Sequence, residues 1–440
     1  MPEIRAFRAL RYNPEVLPDL SRVIAPPYDV ISPARREELA ARDPRNVVAI
    51  DLPVDAGSAD PDEKYRQAAR TFAGWRSDGT LRKDRQPSLY VYEQEYTVPG
   101  TSLRRVQRGF HGRLRLEAFG PDGGVLPHER TMAGPREDRY KLMRASGANF
   151  SAVMVLYRDA TGAAHRLLAE ATEAPAVADV TDDDGVRHRL WPVPDDGPTA
   201  PLVTGLRDAA GREPVTIADG HHRYETALRY RDERRMTSAN EEDPPFDYVL
   251  ALFMDTAAEP LLALPTHRVA RAVEGAEGLV ENAGSSGLFE VDPADRAALL
   301  EAFGSAEQAP GGRGRIGLWT RAGGAVLTAR RESFAQLLPP GGEAVRHLDV
   351  TLLAAALERL CGIDRAATTT GGRVAYTKDA GEAIGWVDGR VDRADAAFLL
   401  EPTPVAEIAA VARDGDVMPQ KSTYFYPKPV TGFVLNPLEW

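Results

Sequence analysis

The sequence predicts a mixed α/β protein, with a core of strand–corner–helix units and smaller α+β segments appended to it. Three observations carry that expectation. A short apolar approach, Val215 and Ile217, ends at Asp219-Gly220 and runs directly into a helix-compatible segment. Residues 89–98 and 105–116 alternate as antiparallel strands do, with Val98-Pro99-Gly100-Thr101 supplying the turn between them. At 440 residues the chain is too long for one small core and suggests two or three domains. Its texture divides it into a core over 1–270, a peripheral α+β domain over 271–395, and a C-terminal strand–helix–strand segment over 396–440 that returns to the core.

The elements follow in order. Pro26 and Pro27 stiffen the loop over 25–33, because proline fixes φ and removes a donor. Ser32 caps a helix that begins at Pro33 and contains Arg35 to Arg42. Residues 47–52 read as a strand. Tyr65, Ala68, Ala69, Phe72 and Trp75 recur at helical spacing, which predicts an amphipathic helix over 64–75. Residues 136–145 read as a helix, 152–157 as a buried strand and 179–190 as an acidic, exposed hairpin. After the corner and its helix comes a polar loop over 237–245, then a central strand over 248–255. From about residue 270 to 372, Gly/Ala-rich loops alternate with short helices. The last stretch contains a strand over 398–400, a helix over 405–412 and a further strand pair. No solenoid period is present, and Gly284-Ser285-Ser286-Gly287 reads as a turn.

Composition excludes several function classes. Hydrophobic residues make up 43% and charged residues 27%, as in ordinary globular protein. A formal net charge of −11 argues against a nucleic-acid grip through basic surface. Cys361 is the single cysteine, so neither an intramolecular disulfide nor a thiolate metal cluster can form, which fits a reducing compartment. It reads as a small apolar residue near a helix end. No apolar run approaches the roughly 20 residues a membrane helix needs, and Met1-Pro2-Glu3-Ile4-Arg5 lacks a signal-peptide core. A cytoplasmic protein without membrane contact is expected.

Four polar clusters carry candidate chemistry. In Asp219-Gly220-His221-His222-Arg223, two imidazoles and a guanidinium crowd the first turn of a helix, where N–H groups lack intrahelical partners and the dipole favours an anion. Cations there oppose the dipole unless an anion compensates them, so the corner reads as a phosphate site. Gly220 allows close approach, Arg223 binds bidentately, and His221 or His222 donates to phosphate oxygens. Asp219 is placed to hold Mg²⁺ or to accept a hydroxyl proton. The competing structural reading leaves the histidines on the surface and pairs Arg223 with Glu225. The second cluster runs from Pro127-His128-Glu129-Arg130-Thr131 through Arg136, Arg139 and Lys141. It offers a second basic hand for the outer phosphates of a nucleotide, or a solvated helix face. In the third, Thr266, His267 and Arg268 return towards the corner or form an ordinary loop. The fourth, residues 418–428, places Lys421 and Lys428 around an aromatic alternation, as edge-strand gatekeepers or as the C-terminal wall of a ligand site. Adjacent histidines point apart, and neither an H-E-x-x-H helix, a Walker loop nor a G-x-G-x-x-G fingerprint is present.

Gly220-His221-His222-Arg223 followed by a helix resembles the G-x-x-R phosphate motif of the ParB/sulfiredoxin superfamily, which includes partition proteins, sulfiredoxins and free-serine kinases. The Asp-Gly-His-His-Arg form is similar to the serine-kinase branch, where the aspartate is implicated in catalysis; that role would fall on Asp219. A sulfiredoxin would carry a cysteine in this motif, and the histidines stand there instead. Over nearly its whole length, at 25–31, 128–149, 219–224, 265–268 and 418–428, the chain also resembles a bacterial and archaeal family of unknown function often encoded beside phosphoserine-pathway genes.

The resemblance implies a ParB/sulfiredoxin-like nucleotide-binding core over 1–270 and a kinase that uses ATP or ADP to phosphorylate a small hydroxyl metabolite, free L-serine being the favoured acceptor. Asp219, Glu129 and His222 are then the catalytic candidates. Gly220, His221, His222, Arg223, His128, Arg136, Arg139, Thr266, His267 and Arg268 are the nucleotide-binding ones, and Asp219 and Glu129 the Mg²⁺ ligands. The alternatives are a nucleotide-gated switch that closes a homodimer without phosphotransfer, and a metal-dependent hydrolase built from His128, His221 and His267.

Overall fold

Tyr248–Asp255 is buried along its whole length and sits inside a mixed sheet. Successive side chains of a strand point to opposite faces. Val249, Ala251 and Phe253 therefore enter one core while Leu250, Leu252 and Met254 enter another. The computed structural model describes all residues except 56, 121–122, 130–132, 239–240, 259–260, 307–312, 371, 390–393 and 440. Arg130 and Thr131 of the second polar cluster lie outside the described residues.

Among the described residues the main sheet has nine strands. Its path runs Val125–Leu126, Val215–Asp219, Val153–Tyr157, Tyr248–Asp255, Arg104–Arg115, Ser88–Thr97, Arg187–Pro194 and Ala178–Thr181, with Ile4–Arg5 paired to Arg104–Arg115 off this path. Tyr248–Asp255 is parallel to Val153–Tyr157 and antiparallel to Arg104–Arg115. Phe253 stacks on Phe110 across that pair, ring centroids 4.9 Å apart. Helices Ala163–Ala171, Ala200–Ala210 and His221–Thr237 cover one face, contributing Leu168, Leu206 and Tyr224 to the core beneath them. The other face shares its core with a second sheet.

That second sheet has six antiparallel strands among the described residues, in the order Phe289–Ala294, Gly323–Ala329, Arg315–Thr320, Ala396–Leu399, His267–Ala270 and Val374–Thr377. It takes in a strand from each side of the 271–395 segment. Its apolar faces pack on helix Asp349–Cys361 and on helices Arg296–Phe303 and Ala380–Asp388. Cys361 is buried and the left-handed Gly362 closes its helix.

Ser32 caps helix Pro33–Arg42, its hydroxyl accepting from Arg35 N at 3.2 Å. Ser32→Ala is expected to lower stability by about 1 kcal/mol, the ordinary loss for a cap of this kind, read from the midpoint of urea unfolding. Helix Glu63–Ser77 buries Tyr65, Ala68, Phe72 and Trp75, the face expected from their spacing. Residues 47–52 differ from expectation: Val48–Asp51 is one helical turn rather than a strand. Asn46 decides it, because Oδ1 accepts from Val48 N while Nδ2 donates to the carbonyls of Arg22 and Ile24. Val47, Val48 and Ile50 then pack against Phe72 and Trp75, a tertiary contact that overrides propensity. The 179–190 hairpin forms as an edge of the main sheet, but Val180, His188 and Leu190 face inward and are buried.

The final strands do not pair with each other. Phe425–Tyr426 pairs with Leu262–Ala263, and Asn436–Pro437 with Ala148–Asn149. The chain end is tied down by Arg113, which is buried and donates to Asn436 Oδ1 at 2.9 Å and to the carbonyls of Pro437 and Glu439 at 2.8 and 2.9 Å. The same C-terminal passage brings Met418 and Lys421 to Glu129, Thr423 to His128 and Lys428 to Asp219. No described helix is long and apolar enough to cross a membrane.

Candidate functional site

Val215–Asp219 ends at a glycine because the chain must reverse there: Gly220 has φ 92°, a left-handed conformation that strains any residue with a Cβ. Helix His221–Thr237 starts immediately, and its cap has no side chain to satisfy the first-turn N–H groups. Arg223 folds back over this glycine. A Cβ on Gly220 would meet Arg223 Nε at 2.8 Å and Cζ at 2.9 Å. Gly220→Ala is therefore expected to displace the guanidinium and lower stability by about 1–2 kcal/mol, measured by urea unfolding.

Arg223 is only 6% exposed. Nη1 donates to the Ala152 carbonyl, and Nη2 lies 3.5 Å from Asp219 Oδ1. Neither Nε nor Nη2 has a hydrogen-bond acceptor among the described residues. A buried donor left unpaired costs about 1–3 kcal/mol, a debt that a ligand oxyanion would cancel. Glu225 is taken by Arg136 at 2.7 Å, so the structural pairing of Arg223 with Glu225 does not occur.

Asp219 is the electrostatic centre. Its Oδ2 accepts from Lys428 Nζ at 2.9 Å, a contact between residues far apart in the chain. Burial would raise its pKa, but Lys428 and Arg223 outweigh burial and hold Asp219 ionised, well below the usual carboxylate range. Burial likewise would lower Lys428, yet Asp219 and Asp29 keep it above its ordinary value. Asp29, on the turn Tyr28–Val30, acts on Lys428, Arg223 and His222 together. With both oxygens facing cations, Asp219 does not fit a Mg²⁺ ligand unless Lys428 leaves. That leaves Glu129 as the single carboxylate of the expected pair.

His128 and His221 meet edge to face, ring centroids 4.6 Å apart. The Nδ1–H of His128 donates to the Ile217 carbonyl at 2.5 Å, which leaves Nε2 to accept from Thr423 Oγ1 at 3.1 Å. His128 N in turn donates to His221 Nε2 at 3.2 Å. Burial pushes His128 down to about 4 and His221 well below its ordinary value, so both are neutral at pH 7. With both ring nitrogens engaged, His128 is a strut between the corner strand and the C-terminal segment. His222 is half-buried at the helix start, where burial also lowers its pKa.

Glu129 follows the strut and lies in a parallel bridge with Met418. Its Oε1 accepts from Lys421 N at 3.4 Å. Burial raises its pKa to about 7, against the pull of Lys421 and Lys428. Lys428 and Lys378 lie over one ring, that of Tyr424, at 4.4 and 4.6 Å from its centroid. Lys378 donates to Thr266 Oγ1 at 3.1 Å, and burial together with the charges of Arg268, Lys428 and Lys421 pushes it down to about 7. Four cations (Arg223, Arg268, Lys421 and Lys428), with Lys378 partly protonated at pH 7, thus gather around three carboxylates (Asp29, Glu129 and Asp219). Such a field favours an anionic ligand.

Other expected residues stand further back. Arg139 is buried behind Arg223, paired with Asp51 at 3.2 Å and Asp138 at 2.6 Å and lying over the Tyr28 ring at 4.0 Å. Lys141 pairs with Asp62. His267 accepts from Leu400 N at 3.1 Å inside the second sheet, and burial pushes it down to about 4. Among the described residues no three or more His, Cys, Asp or Glu are grouped to hold a metal ion. Sequence reasoning missed Lys378, which nothing in Thr377-Lys378-Asp379 distinguishes. It also missed Asp29, which stands in the proline-stiffened loop without a role of its own.

Residues 4–351 match the model of a family described as a protein of unknown function, DUF1015. The chain belongs to the DUF1015 family. No curated protein matches this DUF1015 chain. Among solved structures, a free serine kinase in complex with AMP is similar at 12% identity, covering 75% of the DUF1015 chain and 90% of its own, with a TM-score of 0.35. A conserved hypothetical protein from Pyrococcus furiosus is similar at 12% identity, covering 74% and 98%, TM-score 0.35. SbnI from Staphylococcus aureus, with a C-terminal truncation, is similar at 11% identity, covering 74% and 88%, TM-score 0.34.

Proposed function

We propose that this protein is a nucleotide-dependent kinase with a corner of the ParB/sulfiredoxin type, phosphorylating a small hydroxyl metabolite, with free L-serine as the favoured acceptor and ATP or ADP as donor. The observation that carries this reading is Arg223: a buried guanidinium packed on Gly220 with two N–H groups lacking acceptors, at the start of an uncapped helix. Phosphate oxygens supply the acceptors such a group lacks. Phosphoryl transfer asks mainly for positioning and charge neutralisation, and Lys428, Lys378 and Lys421 add cations around the same point.

In this reading the two carboxylates divide their roles. Asp219, held ionised by Lys428 and Arg223, orients those cations. Glu129, with a pKa near 7, is the base for the acceptor hydroxyl. The test is to incubate the protein with ATP, ADP or CTP, Mg²⁺ and L-serine, and to look for phosphoserine by mass spectrometry. Product with ATP or ADP is expected. Measurable nucleotide binding without product from any donor would instead mark a nucleotide switch.

A further inference from the structure

A cavity of about 820 Å³ is lined by helix Asp349–Cys361, strand Val374–Thr377 and residues 415–420, Met418 among them. Its size is that of a small-molecule pocket, commonly about 300–1,000 Å³. Ala354, Ala355, Val350, Leu357 and neighbouring prolines make most of its wall apolar. Glu358, exposed, and Asp416, whose Oδ2 accepts from Gly342 N at 2.6 Å, also line it, and two further polar groups lack partners of the kind they need. Arg268, 5% exposed, donates only to the carbonyls of Thr266 and Lys421, and no carboxylate forms an ion pair with it among the described residues. The Thr351 hydroxyl, on a residue 2% exposed, has no hydrogen-bond partner among the described residues. Tyr376 lies beside the guanidinium, 5.7 Å from its ring centroid, and also lines the cavity.

A buried cation that feels Glu129 only at a distance and has no carboxylate in ion-pair contact among the described residues, opening onto a largely apolar cavity, asks for a ligand that supplies both an anion and an apolar body. We propose that this cavity is a binding site for an amphipathic small-molecule anion, with an aromatic or branched aliphatic body against Ala354 and Ala355. One carboxylate, sulfonate or phosphate group would rest on Arg268, and Thr351 would complete its hydrogen bonds. The inference stands on Arg268, Thr351 and the cavity alone. It holds whether or not the corner binds a nucleotide.

The test uses the full-length protein and two fluorescent probes of one shape: anilinonaphthalene sulfonate, which carries the anion, and its uncharged parent, phenylnaphthylamine. Saturable binding of the sulfonate about tenfold or more tighter than of the parent is expected, the worth of one charge pair. Arg268→Gln should bring the two affinities together, and Ala354→Trp, which fills the cavity from a partly exposed position, should remove both. Equal affinities in the unmodified protein, or sulfonate binding unchanged in Ala354→Trp, would overturn the proposal. If Arg268→Gln melts early, the probe ratio in the unmodified protein and the Ala354→Trp result still decide it.

Discussion

Replacing Arg223 by alanine is expected to abolish measurable nucleotide binding. The guanidinium has two donors, Nε and Nη2, that make no hydrogen bond among the described residues, Nη2 having only its 3.5 Å contact with Asp219, and hydrogen bonds to a charged group are each worth about 1.5–3 kcal/mol. Losing both would weaken binding by at least about a hundredfold, enough to flatten a calorimetric titration with ATP or ADP. The apo protein should suffer less than burial of the side chain suggests. The substitution breaks the bond to the Ala152 carbonyl and the ion-pair contact of Nη2 with Asp219, but it also removes from the interior an Nε without a partner and an Nη2 without a hydrogen bond among the described residues. Arg223→Lys should restore little, because an ammonium is a point charge and cannot bridge two phosphate oxygens from this geometry. Unchanged affinity for both nucleotides in Arg223→Ala would remove the phosphate-binding interpretation of the corner.

How far the site was legible in the sequence depends on the range of the forces that make it. The corner was readable because strand end, glycine and helix start are adjacent in the chain, and local patterning decides all three. The Ser32 cap and the strand at Tyr248–Asp255 were readable for the same reason. Residues 47–52 were misread because Asn46, a single side chain, satisfies three backbone groups and turns an apolar run into a helical turn. The partner of Asp219 was hidden by distance: residues 418–428 showed lysines around aromatics, but only the tertiary fold aims Lys428 at a carboxylate across the chain. The kind of role was hidden at His128, whose ring nitrogens serve the Ile217 carbonyl and Thr423. A histidine beside a glutamate looks the same in sequence whether it faces a ligand or braces a loop.

Glu129→Gln is expected to lower phosphoserine formation by about 10²–10⁴-fold, the usual contribution of a general base, while nucleotide affinity stays close to that of the unmodified protein. The sign of the accompanying pH effects separates this role from a structural one. A base works when deprotonated, and burial raises the Glu129 pKa to about 7. The rate of the unmodified protein should therefore climb with pH through about 7, and Glu129→Gln should lose that limb. Stability moves the other way. The folded pKa lies above the ordinary value of 4.5, so between the two values the native state binds more protons than the unfolded chain, and stability falls as pH rises through that window. Glutamine does not titrate, so the melting temperature of the variant should lack this decline and overtake the unmodified protein towards pH 8. A purely structural glutamate would show the stability signature without the rate effect. A variant that lost activity while keeping the wild-type pH limb would assign the titration to another group, with Lys378, also pushed down to about 7, the next to test.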